Sequence, residues 1–191
     1  QGEARLAALN ARIRPHFLFN SLNAVLSLIR SRPREAETAL ESLADLFRAA
    51  MRDPSEQICL ADEIELARQY LALEKLRLGE RLQVTWQIAA VPLQMPIPPL
   101  MLQPLLENAV RHGIEPLPDG GVVAITIERR GAELHIEISN PTAGRAEVTT
   151  GHQIALSNIR ERLALYYDLE ARLESQEDAQ HYRTHIVLPC R

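Results

Sequence analysis

Apolar residues at the start of the chain recur at helical spacing. At about 100 degrees per residue, Leu6, Leu9, Ile13, Phe17, Ala24 and Leu28 form one stripe, and Leu18, Leu22, Val25 and Ile29 form a second. A polar line of His16, Asn20 and Asn23 runs beside the first stripe. Residues 3–78 lack strand-like alternation and read as helices broken at Ser31-Arg32-Pro33 and at Asp53-Pro54-Ser55. This predicts a helical hairpin followed by a linking helix. The two stripes wrap well over half of the first helix, more than one partner helix can cover. Pairing of two hairpins into a four-helix bundle would cover it, so a homodimer is expected, with coverage by the rest of the chain as the alternative.

The periodicity changes near Gly79. Leu82, Val84, Trp86 and Ile88 alternate as a strand, and so do Val123, Ile125 and Ile127. Leu134, Ile136 and Ile138 pair with the latter across Arg129-Arg130-Gly131-Ala132, and a final strand is expected over Thr184 to Leu188. With helices over 99–112 and 155–167, the fold class is α+β: a helical hairpin, then an α/β sandwich with helices on one face of a mixed sheet. The expected division is residues 1–79 and residues 80–191.

Composition narrows the function. Hydrophobic residues make up 46% of the 191-residue chain and the net charge is −4, so there is no basic footprint and direct nucleic-acid binding is not expected. Cys59 and Cys190 lack metal-ligand or redox spacing and read as reduced thiols. No run approaches the roughly 18 to 20 apolar residues that cross a bilayer. The chain begins at Gln1 rather than methionine, which suggests a piece of a longer protein.

Two segments carry candidate chemistry. Imidazole changes charge near neutral pH, and its neutral ring nitrogen can attack phosphorus. His16, directly after Pro15 in a helical stretch, is therefore either a phosphoacceptor or a hydrogen-bonded residue at a helix kink. In Pro98 to Gly113, a helix with a glycine stop, Glu107, Asn108, Arg111 and His112 project together. An asparagine carbonyl suits Mg²⁺, and the donors one turn later suit phosphates. No Gly-x-x-x-x-Gly-Lys or Gly-x-Gly-x-x-Gly loop occurs, so a nucleotide site must use other chemistry.

Together, Pro15-His16-Phe17-Leu18-Phe19-Asn20 and Leu102-Gln103-Pro104-Leu105-Leu106-Glu107-Asn108-Ala109-Val110-Arg111-His112-Gly113 resemble the two boxes of the LytS/YehU-type sensor histidine kinases. The resemblance implies a histidine phosphotransfer domain followed by a Bergerat-type (GHKL) domain that binds Mg²⁺-ATP. By that resemblance His16 is the phosphoacceptor, Glu107 a candidate base and Asn108 the Mg²⁺ ligand, with Arg111 and His112 toward the phosphates. It further implies a response regulator as partner, commonly of LytTR type, and a membrane region ahead of the phosphoacceptor helix. The expected location is the cytoplasmic side of the bacterial inner membrane.

The third nucleotide element departs from the pattern. Where the family carries Asp-x-Gly-x-Gly, this chain has Ser139-Asn140-Pro141-Thr142-Ala143-Gly144, and Gly151 alone represents the later glycine cluster ahead of Asn158-Ile159-Arg160-Glu161-Arg162-Leu163. This variant looks most like the branch of alginate-regulating sensor kinases. Ser139 or Asn140 can accept a hydrogen bond from an adenine amino group, and Gly151 and Asn158 complete the expected nucleotide contacts. Residues 142–153 read as a lid over the nucleotide or as an ordinary surface loop. The competing expectation is a pseudokinase-like dimeric scaffold with weak or no ATP binding.

Overall fold

The computed structural model describes residues 2–4, 13–142 and 150–190, with residues 150–152 through their backbone alone. Leu6, Leu9 and positions 143–149 of the expected lid lie outside the described residues.

Helix α1 (Pro15–Leu28) begins at its proline: Arg14 is extended at ψ 131°, and Leu18 N–H gives the first helical bond to the Arg14 carbonyl. The expected kink is thus a helix start. A first-turn residue has no intrahelical partner for its amide, so proline loses nothing there. Helix α2 (Pro33–Met51) opens on a proline for the same reason. The face of α1 that packs inward is neither predicted stripe intact. Phe17, Ser21 and Val25 are buried, with Ile13 just before the helix, whereas Leu22 and Ile29 are exposed. Phe19, Leu22, Leu26 and Ile29 stand outward at a three-four-three spacing.

A two-residue strand β1 (Ile58–Cys59) leads into α3 (Leu60–Leu78), which packs on both hairpin helices and places Tyr70 against Phe17, ring centroids 5.0 Å apart. Gly79, at φ +59°, ends α3. Strand β2 (Leu82–Ala89) follows, then β3 (Pro96–Ile97), which pairs antiparallel with β1. Helix α4 (Leu102–Asn108) then widens into a π-helical turn, Ala109–Ile114. Gly113 was expected to stop this helix. It instead lies within the wide turn, which closes with Glu115 N–H donating to the Val110 carbonyl at 2.9 Å.

The remaining elements are β4 (Gly121–Arg130), β5 (Glu133–Pro141), α5 (Thr150–Tyr167), β6 (Arg172–Glu177) and β7 (His181–Pro189). The main sheet runs β2-β4-β5-β7-β6, with β2 and β4 parallel and the other neighbours antiparallel. Its register stacks Ile127, Ile136, Ile186 and Leu173 across four strands, all on the buried face. On the other face Glu137, His185 and Glu174 are polar and more accessible. One buried apolar core runs without a break from α1 through α3 and α4 into the sheet.

Candidate functional site

Helix α4 is held from outside before it presents any chemistry. Free amides at a helix start need acceptors, and Glu63 of α3 supplies them: its carboxylate accepts Leu100, Met101 and Leu102 N–H at 2.9, 2.7 and 3.1 Å. Leu100 sits at φ +54°, and Arg162 of α5 donates to the carbonyls of Pro99 and Leu100. Burial pushes the Glu63 carboxyl up, against the pull of these amides. Side chains from two helices, α3 and α5, therefore fix where α4 points.

At its far end α4 delivers Glu107 and Asn108, both buried. Gln103 Nε2, one turn back, donates to Glu107 Oε1 at 3.2 Å. From the other side Arg14 Nε pairs with Glu107 Oε2 at 3.2 Å, and Arg14 Nη2 donates to Asn108 Oδ1 at 3.4 Å. Among the described residues Asn108 Nδ2 is buried with no partner. Burial pushes the Glu107 carboxyl up to about 7, although Gln103 and Arg14 both favour its charged form. A carboxyl held in that range can take up or release a proton near neutral pH.

His16 is exposed on the first turn of α1 and lines a small cavity of about 70 Å³, whose wall also includes Asn20, Glu74, Arg77, Arg14, Glu107 and Arg111. Those last three also line a larger cleft of about 650 Å³ between α4 and α5, whose wall includes Pro104, Asn158 and Arg162. Arg14, Glu107 and Arg111 thus partition the histidine's cavity from a cleft of ligand size. Glu74 accepts from Arg77, which also binds Glu115, and burial pushes the Glu74 carboxyl up.

The structure brings His16, Glu107 and Arg111 to one cavity, and Glu107, Arg111 and Asn158 to the cleft beside it. Asn108 lies behind Arg14 rather than on a described cavity wall, and His112 is half-buried on the π-helical turn. Strand alternation turns Ser139 to the opposite face of the sheet from buried Ile138 and Asn140, paired with Ala124 and Arg183. Asn140 faces the other way and is buried. It lies so close to Gly113 that a Cβ there would sit 2.3 Å from Asn140 Nδ2, and that amide donates to the Pro141 carbonyl at 2.9 Å. Gly151 lies in the first turn of α5, and its surroundings are outside the described residues.

Sequence reasoning missed Arg14, Glu63 and Arg162 as members of the site. Arg14 stands two residues before His16, the one signal available. Glu63 and Arg162 act through backbone groups of residues 99–102, which side-chain motifs do not encode.

Residues 4–82 match the family model described as histidine kinase. The sensor histidine kinase BtsS of Escherichia coli (strain K12) is 37% identical over 161 residues, covering 84% of this chain and 29% of BtsS. The sensor protein LytS of Oceanobacillus iheyensis is 28% identical over 204 residues, covering 99% of this chain and 35% of LytS. The chain thus spans about a third of the length of these relatives. The solved histidine kinase domain from the Erythrobacter litoralis EL346 blue-light activated histidine kinase superposes at a TM-score of 0.53, 18% identical, over 97% of this chain and 93% of that domain, a likeness of fold. By its sequence matches, the chain belongs to the histidine kinase family, among the LytS-type sensor kinases.

Proposed function

We propose that the chain is the kinase region of a two-component sensor kinase, in which His16 takes the γ-phosphoryl group of Mg²⁺-ATP and passes it to an aspartate of a response regulator of LytTR type. In this reading residues 1–79 form the dimerisation and phosphotransfer unit and residues 80–191 the ATP-binding unit. An N-terminal membrane region carries the input, with the chain on the cytoplasmic side of the inner membrane. Among the described residues no helix is long and apolar enough to cross a membrane.

The observation that supports this most is the shared wall of Arg14, Glu107 and Arg111 between the His16 cavity and the adjoining cleft. Phosphoryl transfer depends on positioning and charge neutralisation more than on covalent help from the protein. The residues fit a metal-bound nucleotide. The cleft, about 650 Å³, has the volume of a ligand site, and Asn108 Oδ1 already solvates a cation, the Arg14 guanidinium. Among the described residues no cluster of three or more His, Cys, Asp or Glu could hold a metal ion, so one would rest on Asn108, phosphate and water.

Bound Mg²⁺ would neutralise phosphate charge. In the transfer, the lone pair of one His16 ring nitrogen forms a bond to the γ-phosphorus while the bond to the bridging oxygen breaks, and ADP leaves with that electron pair. Glu107, titrating near 7, takes the proton from the other ring nitrogen. Arg111 and His112 meet phosphate oxygens, with Asn158 and Gly151 on the α5 side of the nucleotide.

A second reading, a pseudokinase-like dimeric scaffold, is favoured by the adenine end, where Ser139 faces away from Asn140 and the Asn140 Nδ2 is tied to the Pro141 carbonyl. Incubation with γ-labelled ATP and Mg²⁺ separates the two. The kinase gives an acid-labile label on the protein that His16→Gln abolishes, and the scaffold binds no nucleotide.

A further inference from the structure

The cation on Asn108 is one the chain supplies to itself. Arg14 is the last extended residue before α1, and its guanidinium is spread over Glu107 Oε2 and Asn108 Oδ1. Both contacts fall on the pair of side chains that the nucleotide reading assigns to metal and proton transfer, and this inference rests on that reading. A carboxylate and an amide oxygen buried side by side favour a positive charge between them, and in the described residues a guanidinium provides it.

We infer that Arg14 is an internal stand-in for the divalent cation: its guanidinium occupies Asn108 Oδ1 and Glu107 until metal-bound nucleotide displaces it, so Arg14 sets nucleotide affinity.

Three features support displacement over permanent structure. The Arg14 side chain keeps a third of its surface accessible, at 33%, whereas Glu107 keeps 8%, so the arginine can leave while the carboxylate cannot. The bond to Asn108 is long at 3.4 Å, and a dication makes shorter, stronger contacts to the same oxygen. Two cations cannot share one amide oxygen in a partly buried site, because their repulsion is only weakly screened there. Arg14 also lines both the cleft and the His16 cavity, so it stands where the transferred group must pass. Its departure would clear that passage as the nucleotide arrives.

The test is calorimetric titration of the 191-residue chain with Mg²⁺-ADP and with the Mg²⁺ complex of a non-hydrolysable ATP analogue, for the wild type, Arg14→Gln, Arg14→Lys and Asn108→Ala. Circular dichroism and thermal melting establish that each is folded. Arg14→Gln should bind both complexes about tenfold or more tightly than the wild type, with Arg14→Lys between them. If the wild type binds in an Asn108-dependent way and Arg14→Gln binds equally or more weakly, the stand-in is wrong while the nucleotide site stands. Weaker binding confined to the ATP analogue would make Arg14 a ligand of the γ-phosphate instead and overturn the inference. Binding by none of the folded proteins overturns both this and the nucleotide reading. If Arg14→Gln does not fold, an Arg14→Lys affinity no higher than the wild type's overturns the stand-in.

Discussion

Glu63 accepts the amide of Leu102, 39 positions further along the chain, at 3.1 Å, so a carboxylate on α3 caps the helix that ends in Asn108. The same carboxylate takes the two amides before it. Removing it leaves three buried donors without acceptors at a place where Leu100 already holds a left-handed backbone. Glu63→Ala should lower the unfolding free energy by about 3 kcal/mol or more, measured by urea denaturation. Exposed Glu65→Gln, two residues on, should stay within about 0.5 kcal/mol. Equal effects would mean that the cap contributes nothing particular.

The turn after the π-helical segment depends on a glycine in the same way that α4 depends on Glu63. Gly120 has φ +66°, and a Cβ there would lie 1.9 Å from the Arg81 carbonyl oxygen, while the Arg81 guanidinium donates to the Glu115 and Leu117 carbonyls at 2.8 and 3.0 Å. Gly131, in the β4–β5 hairpin, has nearly the same φ, +61°, with open space around it. Gly131→Ala should therefore cost about 1 kcal/mol, the backbone penalty alone, and Gly120→Ala at least twice that. Thermal melts of the two variants decide whether the close approach or the backbone conformation dominates.

Glu74 makes the stability depend on pH in an assignable direction. Burial raises its carboxyl pKa, and the Arg77 ion pair only partly offsets that. A carboxyl with a raised folded-state pKa stabilises the fold fully at pH below its unfolded value, and that stabilisation is lost as pH rises through the folded value. Glu74→Gln is neutral throughout. The melting temperature of the wild type minus that of Glu74→Gln should therefore rise as pH falls from 8 to 5. A difference that is flat, or that falls on acidification, would mean that the Arg77 pair outweighs burial.

Legibility followed the range of the interaction. Helices α1 to α3, the β4–β5 hairpin and strands β2 and β7 were readable because each buries one face, which imprints a period on its own residues. Strand β6 was not, because Leu173 is its one buried residue and an edge strand with polar neighbours shows no alternation. Strands β1 and β3, two residues each, are too short to carry a period. At the site, His16, Glu107 and Asn108 were legible as short motifs. The contact of Arg14 with Asn108, 94 positions apart, is a product of tertiary packing. The turning of Ser139 away from Asn140 followed from strand alternation and was open to deduction, since neighbours in a strand face opposite ways.

The outward stripe of α1 bears on assembly. Phe19, Leu22, Leu26 and Ile29 are exposed at the spacing of a heptad seam, with Leu26 at 65% and Phe19 at 64%, and Leu40 of α2 is exposed as well. Taking a fully exposed side chain of this kind to full burial is worth roughly 1.5 to 3 kcal/mol, so covering the part of the stripe still exposed makes a second hairpin a favourable partner. Charge in the middle of that seam should prevent it without touching the monomer's core, since Leu26 lies outside the buried cluster. Leu26→Glu should therefore sediment as a monomer at concentrations where the wild type is a dimer, with an unchanged far-ultraviolet circular dichroism spectrum. Leu165→Glu on α5, where the residue is 85% exposed and far from that seam in sequence, should remain dimeric. If Leu26→Glu remains a dimer, the seam is elsewhere and the proposed four-helix arrangement fails.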